Sequence, residues 1–309
     1  MRPDSSPASV AARAWRGPVR SLASVCAFVV LYAAVEYKTS YSSAWPLIAV
    51  VVGGSAMAAG LGLRYVWAQP GTLARNAFIA AVALVGAFGI VRSFGFGLGL
   101  PGAFEIATMT MWLAIGAFFL IPVLRSRIAP PGTLDVAAPL RGRIFTVNGG
   151  SGLATNHHVV EPTMRYAVDL VAVDSRGMRA HGLAPTNPAR YVVFGHDVHC
   201  AVAGVVTEVY DELPDQLAGD FGEQPLRGNF VVIEDGSCAF TYAHLRHGSV
   251  RVAVGQHVPL GEIVAAVGNT GNSSEPHLHL HAIRDGRSVP LTVQGRFLVR
   301  NDLLVTADR

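Results

Sequence analysis

Apolar residues run almost unbroken through the first 125 positions of the chain and then give way to short alternating stretches. Four apolar segments stand out, at residues 22–35, 45–67, 76–91 and 106–124. A helix that crosses a bilayer needs about 20 mostly apolar residues, with a working range of roughly 17–25. The second and fourth segments meet that length. The first and third meet it when extended to 21–37 and 73–94, with Arg75 and Arg92 snorkelling at the ends of the third. Small residues crowd the second segment, in Gly53-Gly54-Ser55-Ala56 and Ala58-Ala59-Gly60, a composition that lets helices approach closely in lipid. Trp45, Trp67 and Trp112 suit interfacial or packing positions. The pattern predicts an N-terminal α-helical membrane domain over residues 1–127, with about four transmembrane helices in a lipid bilayer. Four consecutive segments with almost no charge are hard to cover inside one small soluble domain. A cleaved signal peptide would account only for the first of them.

Charge flanking the segments points in two directions. Arg2, Arg13, Arg16 and Arg20 precede the first segment and favour a cytoplasmic N-terminus, and Arg64 and Arg75 suit an inside loop. Four spans would then return the rest of the chain to the cytoplasm, in agreement with Arg125 and Arg127. One segment fewer, or an N-terminus on the outer side, would place it outside.

Residues 128–140, Ile-Ala-Pro-Pro-Gly-Thr-Leu-Asp-Val-Ala-Ala-Pro-Leu, read as a linker by their Pro and Gly content, and the linker is drawn over 128–148. From 149 to 309 the rhythm changes. β-branched runs at 166–173, 198–209, 229–234, 239–245, 249–254, 262–267 and 277–283 alternate with Gly, Asn and Asp. That spacing predicts an all-β antiparallel domain of short strands and tight turns.

Composition sharpens the division. All 11 histidines fall between His157 and His281, so the polar chemistry belongs to the second half. In Pro276-His277-Leu278-His279-Leu280-His281 a strand would point three imidazoles to one face and bury the leucines on the other. Neighbouring imidazoles would stand about 6.5–7 Å apart along that strand. Asp169 lies inside the apolar run Ala167-Val168-Asp169-Leu170-Val171, where a carboxylate must be paired, hydrogen-bonded or bound to metal. His157 and His158 precede it. Zinc takes His nitrogens and Asp oxygens, and a catalytic zinc keeps three protein ligands and an open position for water. Nothing in the chain calls for a nucleic-acid partner, and the oligomeric state is not legible.

These residues resemble a known family. Asn156-His157-His158, Arg165-Tyr166-Ala167-Val168-Asp169-Leu170, Tyr242-Ala243-His244-Leu245, Gly268-Asn269-Thr270-Gly271-Asn272-Ser273 and Pro276-His277-Leu278-His279 are similar, in order, to the motifs of the lysostaphin/LytM-type zinc peptidases. The resemblance covers residues 149–293. It implies an antiparallel β domain with a groove that cleaves peptide bonds in bacterial cell-wall cross-bridges. It also implies His158, Asp169 and His279 as ligands of Zn2+, with His244 and His277 unligated beside the metal as acid–base or oxyanion-stabilising residues. Arg165 stands where the commonest pattern has a histidine, four residues before the Asp. A longer version, with Asn-x-His ahead of Arg-Tyr-Ala-x-Asp, makes His158 the third ligand and leaves His157 as the other possibility.

The expected function is a membrane-anchored zinc endopeptidase acting on peptidoglycan stem or cross-bridge peptides, multi-pass in the bacterial cytoplasmic (inner) membrane, with the peptidase domain on the periplasmic or extracellular side. The alternative is a catalytically inactive LytM-type adaptor that activates another wall hydrolase. A phosphocarrier, which also pairs histidines on a β fold, lacks the need for Asp169. His281 matches no family ligand and is read as a bystander, solvated or hydrogen-bonded rather than catalytic. The run Asp211-Glu212-Leu213-Pro214-Asp215 reads as a solvated acidic loop or as a rim of the groove. Cys200 and Cys238 sit at the ends of strands that would pair, and a disulfide between them would imply an oxidising compartment.

Overall fold

The computed structural model describes residues 44–64, 66–68, 70–182, 184–220 and 225–306, which divide into a helical unit and a β unit, the latter taking up the chain from Ser126. The predicted segment 22–35 lies outside the described residues. Among those described, three helices are long and apolar enough to cross a membrane, rather than four: α1 (Trp45–Arg64), α2 (Gly71–Ser93) and α3 (Ala103–Ser126).

Their lengths of 20, 23 and 24 residues give roughly 30–36 Å at about 1.5 Å per residue, the thickness of a bilayer core. Large apolar side chains stand exposed along α2 and α3, among them Leu84, Val91, Phe104 and Phe118, as expected of faces solvated by lipid. The small residues of α1 serve close packing. A methyl group added at Gly53 would run into the Trp112 carbonyl, and one at Gly60 into the Phe119 carbonyl of α3. Gly116 of α3 meets Gly53 in return. Helices in lipid lack a hydrophobic drive to associate, and there such backbone proximity would hold them together.

The β unit contains 13 strands. In chain order they begin with β1 (Leu134–Val136), β2 (Gly142–Asn148), β3 (Val168–Ala172), β4 (Asp197–His199) and β5 (Gly204–Tyr210). There follow β6 (Asn229–Glu234), β7 (Ala239–Leu245), β8 (His257–Val258) and β9 (Ile263–Ala266). The last are β10 (Leu278–Arg284), β11 (Arg287–Val289), β12 (Leu291–Val293) and β13 (Leu303–Thr306). The main sheet runs β13-β2-β3-β10-β7-β6-β5-β8, antiparallel throughout, with β11 paired to β10. β4 pairs with β9, and β1 lies parallel to β12.

Residues 128–148, read as a linker, thus hold β1 and β2, both built into sheets. Their Pro and Gly content marks the turns around two short strands. The run 249–254 forms no strand: Val250 N–H goes to Asp211 and Arg251 N–H to the Val264 carbonyl, so its backbone groups are satisfied singly. Cys200 and Cys238 are buried free thiols, and Cys200 Sγ donates to the Val202 carbonyl.

Alternation sorts the central strands into two faces. Leu278, Leu280 and Ala282 of β10 face the core with Tyr242 and Phe240 of β7, Val231 and Ile233 of β6, and Val168 and Leu170 of β3. All are buried. At about 1.5–3 kcal/mol per large buried apolar side chain, this face fixes the register, because a slip of one residue would expose all of it. The opposite face of the same strands carries Asp169, His279 and His281.

Candidate metal centre

Asp169 and His279 are directly opposed on β3 and β10. Cross-strand neighbours on one face hold their Cβ atoms about 4.5–5.5 Å apart, close enough for the side chains to meet. His279 Nδ1 lies 3.0 Å from Asp169 Oδ1.

His158 arrives from a different kind of element, the 3-10 turn His157–Val160. Asn156 caps that turn, its side-chain oxygen accepting the His158 N–H at 3.1 Å. The Asn156 amide also donates to the carbonyls of Gly150 and Ala167, at 3.0 Å each, which ties the turn to the entry of β3. His158 Nε2 therefore stands 3.1 and 3.0 Å from the two oxygens of Asp169. His157 stacks on the His158 ring at 3.9 Å between centroids and is exposed. Its ligand atom still lies within 4.8 Å of those of His158 and Asp169.

Burial alone would raise the pKa of Asp169. The imidazoles of His158 and His277 and the hydrogen bonds from His158 and His279 overcome that and hold it well below the usual carboxylate range. Burial keeps His279 and His244 neutral, each with a pKa below the ordinary imidazole value.

The donor set fits a zinc-type ion. Two imidazole nitrogens and one carboxylate converge, with a cavity of about 270 Å³ opening over His158, Asp169, His244 and His277. A tetrahedral ion with bonds of roughly 2.0–2.1 Å asks its ligand atoms to stand about 3.3 Å apart. The observed separations of 3.0–3.1 Å are within a small relaxation of that.

Two β-bulges complete the site. Between β2 and β3 the pairing steps from Thr146↔Leu170 to Asn148↔Asp169, leaving Val147 as the extra residue. That step brings Asn148 beside Asp169, and its Nδ2 donates to Asp169 Oδ2 at 2.8 Å. Arg300 in turn donates to Asn148 Oδ1. Between β6 and β7 the pairing steps from Asn229↔Leu245 to Phe230↔Ala243, leaving His244 extra. By alternation His244 would point away from Ala243 and His279. Its φ of +61° instead turns it onto their face, a bulge re-aiming a side chain. The His244 ring lies 4.7 Å from that of His277 and 5.8 Å from that of His279.

Both of these imidazoles have a fixed tautomer. His244 Nδ1 is 2.9 Å from the Thr270 carbonyl, and His277 Nδ1 is 2.8 Å from the Glu275 carbonyl. A carbonyl only accepts, so Nδ1 carries a proton in each. His277 Nε2 stands 3.7 Å from Asp169 Oδ1. The loop that holds His277 is pinned by Arg179, a buried residue whose Nε and Nη2 donate to the two oxygens of Glu275 at 2.6 Å each.

All five residues named from sequence, with His157, are thus drawn to one place. His277 sits just before β10 rather than in it. Four further residues have contacts that the sequence did not show. Asn148 depends on a bulge, which alternation cannot show. His281 is buried, with Nδ1 2.9 Å from His279 Nε2, so it is no bystander in solvent. Asp211 and Asp215 are not merely solvated: Asp211 accepts from Gly248 N–H and Val250 N–H, and Asp215 from Asn269 N–H at 2.6 Å.

Parts of the chain are similar to known proteins. Residues 192–290 match Peptidase family M23, a stretch that includes His244, His277 and His279 and begins after His158 and Asp169. The chain is 42% identical over 66 residues to the peptidoglycan DD-endopeptidase ShyA of Vibrio cholerae, covering 21% of this chain and 15% of that protein. It is 34% identical over 88 residues to endolysin 2638A of Staphylococcus phage 2638A, covering 28% of this chain and 16% of the endolysin. The chain therefore matches only about a sixth of the length of these relatives. Among solved structures, a zinc-containing peptidase from Vibrio cholerae aligns at 30% identity, with 31% of this chain, 26% of that one and a TM-score of 0.25. The catalytic domain of lysostaphin from Staphylococcus simulans aligns at 23% identity, with 39% and 67% covered and a TM-score of 0.26. The second half of the chain is thus similar, over residues 192–290, to Peptidase family M23.

Proposed function

We propose that this protein is a membrane-anchored zinc endopeptidase that hydrolyses peptide cross-links of bacterial peptidoglycan. The observation that carries the reading is the placing of His158 and His279 each within 3.0–3.1 Å of Asp169, with two further imidazoles beside them. His158 Nε2, an oxygen of Asp169 and His279 Nδ1 would hold Zn2+. When bound, the ion acidifies a water molecule and polarises a carbonyl.

The other residues supply what the ion does not. His244 and His277, with Nδ1 engaged by the carbonyls of Thr270 and Glu275, leave Nε2 to take a proton from the attacking water and pass it to the leaving amine. Asn148 holds the second oxygen of Asp169, so the carboxylate keeps one orientation toward the ion. The apolar helices would anchor the domain at the cytoplasmic membrane, with the peptidase domain on the outer side, where its substrate lies.

The test uses the full chain in detergent. One equivalent of zinc and release of soluble peptides from purified peptidoglycan are expected, abolished by a chelator and restored by zinc. A C-terminal reporter fusion should be active only outside the cytoplasm. Intact peptidoglycan in the presence of bound zinc would overturn the reading.

A further inference from the structure

We propose that His281 is a positioning residue that sets the tautomer and orientation of His279, and through it the tightness of the metal site. This inference deepens the zinc reading above and depends on it. His279 and His281 lie on one face of β10, both buried, with ring centroids 5.1 Å apart and planes at 71°. His279 Nε2 is 2.9 Å from His281 Nδ1, while His279 Nδ1 faces Asp169.

The tautomers follow once an ion takes the place of the His279 Nδ1 contact with Asp169. For Nδ1 of His279 to offer a lone pair to an ion, the neutral ring must carry its proton on Nε2. That N–H points at His281 Nδ1, which must then accept, leaving the His281 proton on its own Nε2. Metal-bound histidines usually give this second N–H to a carboxylate, a backbone carbonyl or water. Here the acceptor is a second imidazole, two residues along the same strand. The strand spacing makes it possible: rings on residues two apart are separated by about 6.5–7 Å at the backbone, and two rings leaning edge to face span that gap. His281 is itself held in register opposite Thr241 of β7, and with Thr241 it lines a second cavity of about 790 Å³ beyond the metal cluster. The ligand's partner is therefore fixed by the sheet rather than by a mobile loop.

The measurement is zinc affinity of the full chain by chelator competition, with the visible spectrum of the cobalt-substituted protein as a second readout. His281→Leu keeps bulk but cannot accept, and should weaken zinc about 10–100-fold and shift the cobalt bands. His281→Gln, whose side-chain carbonyl can accept the same N–H, should return affinity to within a few-fold of the original. Wild-type affinity and spectrum in His281→Leu would overturn the proposal, as would equal weakening in Leu and Gln variants, which would mark a purely structural role. If His281→Leu does not fold, Gln and Glu variants decide it: the carboxylate should bind zinc more tightly than the amide, and equal affinities would overturn the proposal. An unaltered protein that takes up no zinc would remove the functional reading itself, and this one with it.

Discussion

The two sides of the histidine cleft are built by different means. On the ligand side, Asp169 and His279 meet because two regular strands pair in register, and the leucines beneath them hold that register. On the side proposed for acid–base work, His244 sits on a bulge with a left-handed backbone, and His277 on the loop ahead of β10. Regular pairing fixes distances well but offers only every second residue to a face. Departures from it supply the side chains that regular pairing cannot. A site that must hold an ion and also move protons around it therefore needs both kinds of backbone.

The sharpest way to separate the two sides is a pair of single changes. Asp169→Ala should abolish both zinc binding and hydrolysis. His244→Ala should leave one equivalent of zinc in place and lower kcat by about 10²–10⁴-fold, the usual worth of a general acid or base. Metal analysis beside peptidoglycan turnover checks both, and loss of zinc in His244→Ala would merge the two sides into one.

A smaller effect is expected from the support of the loop side. Arg179→Met removes the partner of a largely buried Glu275 carboxylate, and should cost about 3–5 kcal/mol in denaturant unfolding, the range for breaking a buried ion pair. Because Glu275 also holds His277 through its carbonyl, kcat should fall while zinc affinity stays near its original value. A fall in zinc affinity as large as that in kcat would show that the loop also shapes the ligand side.

The smallest effect is one of pH. Burial and the neighbouring imidazole of His279 push His281 down to about 3, and burial keeps His244 well below the ordinary value. In the unfolded chain these imidazoles titrate near 6.5, so as pH falls below about 6.5 the unfolded state takes up protons first and folding stability declines. Asp169 has the opposite ordinary state: its lowered pKa adds stability above about 3.9 that is lost only as pH falls through its folded value. The metal-free protein should thus show a flat Tm above pH 7, a decline from about pH 6.5 and a further one below about pH 4. A Tm unchanged down to pH 5 would mean that the imidazoles are solvated or already charged.

The same contrast explains what could be read from the chain. The bounds of β6 and β7 follow from β-branched alternation between glycine-marked turns, and α1 to α3 follow from apolar length. Asp169 announced itself as a carboxylate among residues that want burial. Asn148 did not, because its place depends on one extra residue at Val147 that leaves no mark in an alternating pattern. His281 was expected to be solvated or hydrogen-bonded, but its partner could not be read, because a motif lists ligands while its contact is with the far nitrogen of His279. Asp211 and Asp215 were read from charge alone. A run of acids looks solvated until the backbone N–H groups of loops distant in sequence are seen to end on it.

The positive φ of His244 has a consequence for how such a domain changes over generations. A left-handed backbone costs a residue with a side chain roughly 1–2 kcal/mol, and glycine or asparagine far less. Selection for endurance alone would drift toward those residues at position 244 and would discard the proton carrier. Selection for turnover would keep histidine there and recover the lost stability elsewhere, most cheaply in the apolar face beneath the strands. The bulge is thus a point where thermal robustness and enzymatic competence pull against each other.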